Sequence, residues 1–473
     1  MSHPPGSPTT TTTADSDILD VVGIGFGPSN LALAIALDEV QAGARSLFFE
    51  RQPRFGWHRG MLIDDATMQV SFLKDLVTMR NPTSEHSFVA YLHDRGRLVD
   101  FINHKTLFPL RIEFHDYLEW VAQRMGHVVS YSREVIDVLP VVDGGVLTGF
   151  DVVVRHCDRP GDVTTHRARN LVIAAGLEAS VPPGAELGER VWHNLDLLRR
   201  VESLPATPAP RRFVVVGAGQ SAAEAVEYLH RQFPDAEVCS VFSRYGYTPA
   251  DDSPFANRIF DPEGVDLYFD ADPGLKRKLF DYHRNTNYSV VDQELIDELY
   301  RRVYQETVQG QPRLRMLRAS RVAAVSPRSD DGPGVDVTVE SLATGERDVL
   351  PTDVLVYATG YRPADPLRLL GETARLCRRN DEGLVQVARD YTVGMAVPSA
   401  GSAVYLQGGT EHTHGITSTL LSNTAIRSGE IAASLLAGRP MEAEAEAGPL
   451  ERAPQVDDGA VPVGAAAVVT SAV

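Results

Sequence analysis

The sequence predicts an α/β protein with two Rossmann-like dinucleotide-binding domains, the second inserted in the first, and a small substrate-binding region. Two stretches, residues 18–37 and 212–225, each read as an apolar strand, a glycine turn and a helix. Two further apolar runs, residues 170–176 and 354–361, end in small residues, which is typical of buried parallel strands beside a ligand. The 473-residue length leaves room for two or three domains.

The first motif has the features of a pyrophosphate-binding turn. Gly25 permits the tight turn, and Gly27 lets the backbone approach a phosphate. Asn30 stands where a third glycine usually lies. Glu50 follows a second apolar run at the spacing at which a carboxylate holds ribose hydroxyls. The strand, the helix and Glu50 together favour a nucleotide site over an ordinary strand–turn–helix without a ligand.

The second motif begins directly after a proline-rich linker at residues 204–210. Gly217 and Gly219 form the turn, and Gln220 and Ser221 begin the helix. Arg244 lies at the position where a site for NADH carries an acidic residue that binds the free 2′-hydroxyl. An arginine at this position can bind a 2′-phosphate, so the spacing predicts NADPH rather than NADH. A surface arginine without a ligand is the alternative interpretation.

The two motifs predict a discontinuous first domain that also contains helical residues 417–436. The composition of both chain ends predicts disorder, since neither has the periodicity of a helix or strand. The predicted division is a disordered leader at 1–16, a first domain at 17–205 and 350–440, a second domain at 206–349 with a substrate segment at 251–291, and a disordered tail at 441–473.

The composition excludes several classes of partner. Lys and Arg number 45 against 63 Asp and Glu, a net charge of −18, which argues against nucleic acid and anionic membranes. No apolar run is long enough to span a bilayer, and the N-terminus lacks the apolar core of a signal peptide. Cys157, Cys239 and Cys377 suit a reducing cytoplasm, show no metal-binding spacing, and are all expected to be buried.

These motifs resemble the class B flavoprotein monooxygenases, and four further stretches resemble their N-hydroxylating branch. That branch comprises the L-ornithine N5-monooxygenases and L-lysine N6-hydroxylases of hydroxamate siderophore biosynthesis. The stretches are Gly60-Met61-Leu62 through Leu76, Asp251 through Asn257, Asn287 through Val291, and His414-Gly415 through Ser422. The resemblance covers about residues 17 to 438 and also implies a homo-tetramer.

The resemblance implies FAD and NADPH as cofactors and assigns residues to each site. FAD would lie along Gly25, Gly27, Glu50 and His58, with Trp57 beside it, Gln69 near the isoalloxazine and Val135 near the adenine. NADPH would lie on Gly219, Gln220, Ser221 and Arg244, although Ser243 stands where some relatives place the arginine. Tyr288, Ser289, Thr419, Leu420 and Leu421 match further cofactor contacts.

The resemblance also places the amino-acid substrate on Lys74, Asn257, Asn287 and Ser422. Lys74 can pair with the α-carboxylate, and the two asparagine amide oxygens can accept from the α-ammonium. Without the resemblance, Lys74 reads as a solvated surface charge. Bound flavin, reduced by NADPH, would capture O2 as a C4a-hydroperoxide that the uncharged side-chain amine attacks, so the protein needs no catalytic acid or base.

L-Ornithine is the predicted substrate, with L-lysine or a diamine as the alternative. A disulfide-type flavoprotein reductase also has two nucleotide motifs, but it needs a redox cysteine pair, and the three cysteines contain no close pair. A nucleotide sensor that keeps the fold without the chemistry is the non-enzymatic alternative. NADPH oxidation stimulated by an amine would exclude it.

Overall fold

The structure is a computed structural model, which describes residues 18–40, 44–205, 207–283, 286, 288–329 and 332–438. The predicted leader and tail lie outside the described residues. The strands are β1 (Leu19–Ile24), β2 (Ser46–Phe49), β3 (Val129–Ser130), β4 (Arg133–Asp143), β5 (Val146–His156), β6 (Arg159–Ile173), β7 (Leu177–Ala179), β8 (Val191–His193), β9 (Arg212–Val216), β10 (Glu237–Val241), β11 (Leu314–Leu317), β12 (Ser320–Pro327), β13 (Val335–Ser341), β14 (Arg347–Thr352), β15 (Val354–Tyr357), β16 (Tyr361–Pro363) and β17 (Val404–Leu406).

The helices connect and cover these strands. They are α1 (Pro28–Glu39), α2 (Phe88–Asp94), α3 (Leu98–His104), α4 (Arg111–Arg124), α5 (Leu197–Glu202), α6 (Gln220–Gln232), α7 (Pro262–Asp270), α8 (Pro273–His283), α9 (Gln293–Gln309), α10 (Glu411–His414) and α11 (Thr424–Ala437). None of the helices in the described part of the chain has the length and apolarity needed to cross a membrane.

The first sheet has seven strands in the order β3-β2-β1-β6-β5-β4, with β17 also paired to β6. β1 is parallel to β2 and β6, which confirms the predicted parallel strand at residues 170–173. β6 is long enough to serve two partners, because its first half pairs antiparallel with β5 and its last residues pair parallel with β1 and β17. The carboxyl ends of β1, β2, β6 and β17 therefore meet at one edge, where α/β sheets bind ligands.

Helix α1 is packed inside the first unit. Its residues from Asn30 to Leu37 are all buried, in agreement with a sequence that is apolar around the whole helix. α11 packs along α1, and aromatic residues of α2 and α4 complete the core on this face of the sheet. The first turn of α1 is thus held rigidly at the carboxyl end of β1.

The second sheet is fully parallel, in the order β11-β10-β9-β15-β8. This pairing corrects two predicted domain boundaries, because β8 and β15 were both assigned to the first domain. Val354–Tyr357 pairs with Phe213–Val216, and Val191–His193 pairs with the other edge of β15. A parallel strand buried on both faces has the same apolar pattern in either sheet, so its pattern does not reveal its neighbours.

Two small antiparallel sheets, β12-β13-β14 and β16-β7, complete the described strands. Cys239 and Cys377 are buried as predicted, but the prediction is wrong for Cys157. Cys157 lies exposed in the turn between β5 and β6, where its thiol donates to the Arg51 carbonyl at 3.2 Å.

Candidate active site

The turn after β1 forms an open cradle at the start of α1. Gly25 has φ +84°, and a Cβ there would lie 2.5 Å from the carbonyl oxygen of Ala174, so only glycine fits. Gly27 precedes the helix, and a Cβ at this position would meet no atom within 4 Å. The space in front of the first turn of α1 is therefore open to an anion, which the helix N-terminus favours.

Asn30 supports this turn from behind. Its side chain is fully buried, and its amide nitrogen donates to the Gly25 carbonyl at 2.7 Å. Its oxygen accepts from Gln407, which follows β17, at 3.1 Å. The expectation that Asn30 contacts the cofactor is thereby corrected for its side chain, because a fully buried amide that bonds to the protein does not line the cradle.

Glu50 lies beside the same turn. Its carboxylate accepts from the backbone N–H groups of Phe26 at 2.8 Å and Gln52 at 2.9 Å. Its own carbonyl accepts from the N–H of Arg133, which brings β4 and the buried Val135 next to it. Each carboxylate oxygen keeps a lone pair for a ribose hydroxyl, so this geometry fits the predicted ribose and adenine positions.

The second glycine turn lies against a segment that the sequence also marked as cofactor-binding. Gly217 has φ +144°, and a Cβ there would meet the Ala358 carbonyl oxygen at 2.2 Å. Gly219 precedes α6, and a Cβ on it would be 3.3 Å from Cα of Ser289. Arg244 donates to the Ser289 carbonyl at 2.8 Å. The structure thus brings Gly219, Ser289 and Arg244 together at the start of α6, where Ser221 also lies.

Gln220 begins α6 with its side chain turned into the protein. Its amide donates to Glu224 at 3.1 Å and to Asp292 at 3.0 Å, and its oxygen accepts from the Asp292 N–H at 2.8 Å. Glu224 in turn forms a two-bonded ion pair with Arg111 of α4, at 2.6 and 2.8 Å. Because Arg111 also donates to the Met61 carbonyl, this cluster joins the second glycine turn to the loop after β2.

His58 and Trp57 lie at the centre of that loop. The His58 ring packs edge-on against Trp57 and against Tyr361, with ring centroids 4.8 and 5.7 Å apart. Burial, together with the nearby charge of Arg111, lowers the pKa of His58 to about 4, so the imidazole is neutral at pH 7. Gln69 is exposed at the far end of the loop, and its side chain forms a hydrogen bond with Asp292. Burial raises the pKa of Asp292, and this hydrogen bond lowers it.

Lys74 meets the segment that carries Asn257. Its ammonium nitrogen lies 5.8 Å from the ring centroid of Phe260, burial lowers its pKa, and Asp261 opposes that shift. Asn257 is the second residue of the same short turn, at 256–260, and its amide donates to the Asp252 carbonyl at 2.7 Å. The predicted substrate residue Asn287 lies outside the described residues, between Thr286 and Tyr288.

The last predicted site segment lies between β17 and α11. Residues 416–419 pack against the turn at 256–260, and the Thr419 methyl faces Gly408 at the end of β17. Leu421 packs on the core beneath α1, Leu420 accepts from Thr424 at 3.1 Å, and Ser422 is buried. On the other side, Tyr288 donates to Glu411 of α10 at 2.7 Å. These contacts link the predicted substrate and cofactor segments to one another, and through Ser289 to the second glycine turn.

Two sheets, each with a parallel strand that runs through a glycine turn into a helix, define the two-nucleotide α/β class to which flavin monooxygenases belong. The family model described as L-lysine 6-monooxygenase/L-ornithine 5-monooxygenase matches residues 17–363. The chain therefore belongs to this family.

Named relatives agree with this assignment. The L-ornithine N(5)-monooxygenase of Burkholderia cepacia is 41% identical over an alignment of 443 residues, which covers 91% of this chain and 98% of that one. An ornithine N-hydroxylase of Kutzneria sp. 744, solved with reduced FAD, NADP+ and L-ornithine, is 49% identical with a TM-score of 0.84 over 88% of this chain and 99% of that chain. The L-lysine 6-monooxygenase of Pseudomonas syringae is 30% identical with a TM-score of 0.76 over 89% and 99%.

Several residues of this region escaped the sequence analysis. Arg111 of α4 and Glu224 of α6 form an ion pair. Gln407, which follows β17, and Arg427 of α11 both bond to Ser29 at the start of α1. The one sequence signal for this group was Gly408-Gly409, which follows the apolar run at Val404–Leu406 after Gln407, since glycines at a strand end often mark a ligand-facing turn.

Proposed function

We propose that this protein is an FAD- and NADPH-dependent monooxygenase that hydroxylates the side-chain nitrogen of L-ornithine, giving N5-hydroxyornithine for hydroxamate siderophores or related products. The observation that carries the proposal is the contact of Lys74 with the turn at 256–260, which itself packs against residues 416–419 beside the end of β17. Family membership and the ornithine-named relatives support the choice of reaction.

FAD is assigned to the first sheet. The open space at Gly27 accepts the pyrophosphate, Glu50 holds the ribose, and the loop with Trp57, His58 and Gln69 faces the flavin. Neutral His58 can exchange hydrogen bonds with the cofactor without adding a charge beside it. The segment at Thr419, Leu420 and Leu421 covers the opposite side.

NADPH is assigned to the second sheet, whose glycine turn is placed for its pyrophosphate. Arg244 would read the 2′-phosphate through charge-assisted bonds. Because Arg244 also holds the Ser289 carbonyl at 2.8 Å, it ties the NADPH site to the segment next to the substrate. Tyr288 and Ser289 belong to the same proposed site.

The substrate is assigned to the space beside Lys74. The ammonium of Lys74 would bind the α-carboxylate, and Asn257, Asn287 and Ser422 would hold the remaining polar atoms. Bound FAD supplies the oxygen-transfer chemistry, using hydride from NADPH and O2. The protein positions the amine and excludes water from the site.

The distance from Lys74 to the flavin selects among amines. One extra methylene displaces the reacting nitrogen by on the order of 1 Å, and a misplacement of that size can cost about 100-fold in rate. Lysine would therefore bind and stimulate NADPH oxidation but yield little hydroxylated product. Product formation should rise with pH, because only the uncharged side-chain amine is nucleophilic.

The test measures hydroxylated product per NADPH consumed for ornithine, lysine, putrescine and cadaverine. We expect tight coupling with ornithine and peroxide release with lysine. Tight coupling with lysine, or with a diamine that lacks the carboxylate, would overturn the substrate assignment while leaving the cofactor assignment intact.

The nicotinamide assignment has its own test. In Arg244→Ala, the KM for NADPH should rise more than the KM for NADH, because only NADPH carries the 2′-phosphate. Arg318→Ala is the matched control, since Arg318 stacks on the neighbouring Tyr245 at 4.7 Å without a bond to Ser289 in the described structure. Equal losses for both nucleotides would show that Arg244 only holds the 288–289 segment.

A further inference from the structure

Arg427 is an arginine buried without a carboxylate. Its side chain is 1% exposed, and it is one of the largest fully buried side chains in the described structure. None of the ion pairs among the described residues includes it, whereas the neighbouring Arg389 pairs with both Asp266 and Glu430. A buried charge without a counter-charge is unfavourable, so such a group signals an anion that completes the site.

The guanidinium bonds only to neutral oxygens. Its Nη1 donates to the Ser418 carbonyl at 2.9 Å, and its Nε donates to Gln407 Oε1 at 3.3 Å. Its Nη2 donates to the hydroxyls of Ser29 at 3.2 Å and Thr424 at 3.3 Å. These bonds satisfy the donors and fix the group in place, but none of them is to a carboxylate, and Glu430, whose charge acts on Arg427, is paired with Arg389.

Ser29 places this charge next to the first cradle. It is the second residue of α1 and lies two positions after Gly27. A Cβ added at Gly27 would meet no atom within 4 Å, so the space there is open. Gln407 reinforces the contact, because its amide donates to the Ser29 carbonyl at 3.0 Å and to Asn30 at 3.1 Å. The positive end of the α1 dipole and the charge of Arg427 therefore both act on the open space in front of Gly27. Among the described residues, no carboxylate is bonded to Arg427.

We propose that Arg427 is the buried counter-charge for the pyrophosphate of FAD, acting through Ser29 and the first turn of α1 rather than by direct contact. This inference rests on the proposed position of FAD at Gly27. It makes two demands that an arginine with a purely structural role would not meet: the charge matters more than the hydrogen-bond geometry, and its effect is confined to phosphorylated ligands.

The experiment measures FAD affinity of the apoprotein by flavin fluorescence, together with displacement by ADP and by adenosine. We expect Arg427→Gln to weaken FAD and ADP at least tenfold while adenosine changes less than twofold. Arg427→Lys, which keeps the charge but loses the forked geometry, should retain most of the affinity. Arg80→Gln is the matched control. Arg80 is half-buried and contacts both α1 and α11, as Arg427 does, but it pairs with Glu39 at the far end of α1.

The outcomes separate the inference from the proposed site. If Arg427→Lys weakens FAD as much as Arg427→Gln, or if adenosine weakens in parallel with ADP, Arg427 is structural and the inference fails. The thermal stability of the apo form is a second readout, and it should fall less in Arg427→Gln than the FAD-bound stability does. If Gly27→Ala leaves FAD affinity unchanged, the FAD position itself is wrong.

Discussion

Lys74 makes the assignment of substrate testable at a single residue. Replacing it with Met removes the charge but keeps the stem, so the KM for ornithine should rise about 10- to 100-fold, since hydrogen bonds to charged groups contribute about 1.5–3 kcal/mol. FAD content should not change. Lys276→Met is the control, because Lys276 also lies over aromatic rings, at 5.7 Å, but on α8. An unchanged KM would remove the proposed carboxylate anchor.

His414 makes the fold sensitive to acid. It is buried, stacked on Tyr391 at 4.1 Å, and bonded through Nε2 to the Arg389 carbonyl at 3.1 Å. Burial lowers its pKa to about 3 from an ordinary value of 6.5. Between pH 6.5 and pH 3 this histidine is protonated in the unfolded chain but neutral in the folded one. The free energy of unfolding therefore falls as the pH falls, by about 2 kcal/mol from pH 7 to pH 5.

The measurement compares urea unfolding at pH 7 and pH 5. His414→Gln should lose about 2 kcal/mol less than the parent protein over this interval, because Gln can donate to Arg389 without titrating. The exposed His127→Gln should behave as the parent does. Identical pH dependence in all three proteins would contradict the assignment of this acid sensitivity to His414.

At this scale the sequence revealed residues whose role is local and missed those whose partners are distant. Gly25 and Gly217 follow from the turn that each must make, and the structure gives both a positive φ. Asn30 was expected to face the cofactor, but its orientation depends on Gln407, 377 positions away. Arg427 gave no signal, because an arginine in a helix sequence is ordinarily exposed.

Helices α4 and α6 are joined by the pair Arg111–Glu224, whose side chains are 13% and 6% exposed. Removing one partner leaves a buried charge unpaired and should cost about 3–5 kcal/mol. A double-mutant cycle with Arg111→Met and Glu224→Met, followed by urea unfolding, should therefore show the double variant to be less destabilised than the sum of the single ones. Additive losses would show that the two side chains act independently.

The elements themselves were largely predictable, but their assignment to sheets was not. Strand β1, helix α1 and strand β9 were expected from apolar runs bounded by glycine, and all are present. The strand at Val354–Tyr357 was expected but assigned to the first domain, and it pairs with β9 instead. Its hydrogen bonds run to residues about 140 positions away, and no local pattern records that pairing.

The whole molecule carries an acidic surplus, a net charge of −18, although Arg427 is buried beside the first glycine turn. Such a surplus opposes binding to polyanions but does not prevent local anion sites. The homo-tetramer and the cytoplasmic location implied at the level of sequence stay predictions. Light scattering across a range of protein concentrations tests the first, and a tetramer should persist where a chance association would dissociate.

The two cradles belong to different sheets, so the two nucleotides should be separable by matched glycine substitutions. A Cβ at Gly27 meets no protein atom and would project into the proposed FAD pyrophosphate space. Gly27→Ala should therefore fold normally but lose FAD affinity about tenfold or more, since the backbone there must approach a phosphate. A Cβ at Gly219 would lie 3.3 Å from Ser289 Cα, so Gly219→Ala should weaken NADP+ while retaining FAD.

The measurement is flavin content after purification together with NADP+ titration by calorimetry for both variants. In Gly27→Ala the apoprotein should bind NADP+ as the parent apoprotein does, because the second sheet does not include the first turn. Full flavin content in Gly27→Ala would place FAD elsewhere. Parallel loss of both nucleotides in Gly219→Ala would mean that the two sites are coupled, and the route for such coupling would be the cluster of Gln220, Glu224 and Arg111 that joins the second turn to the loop at His58.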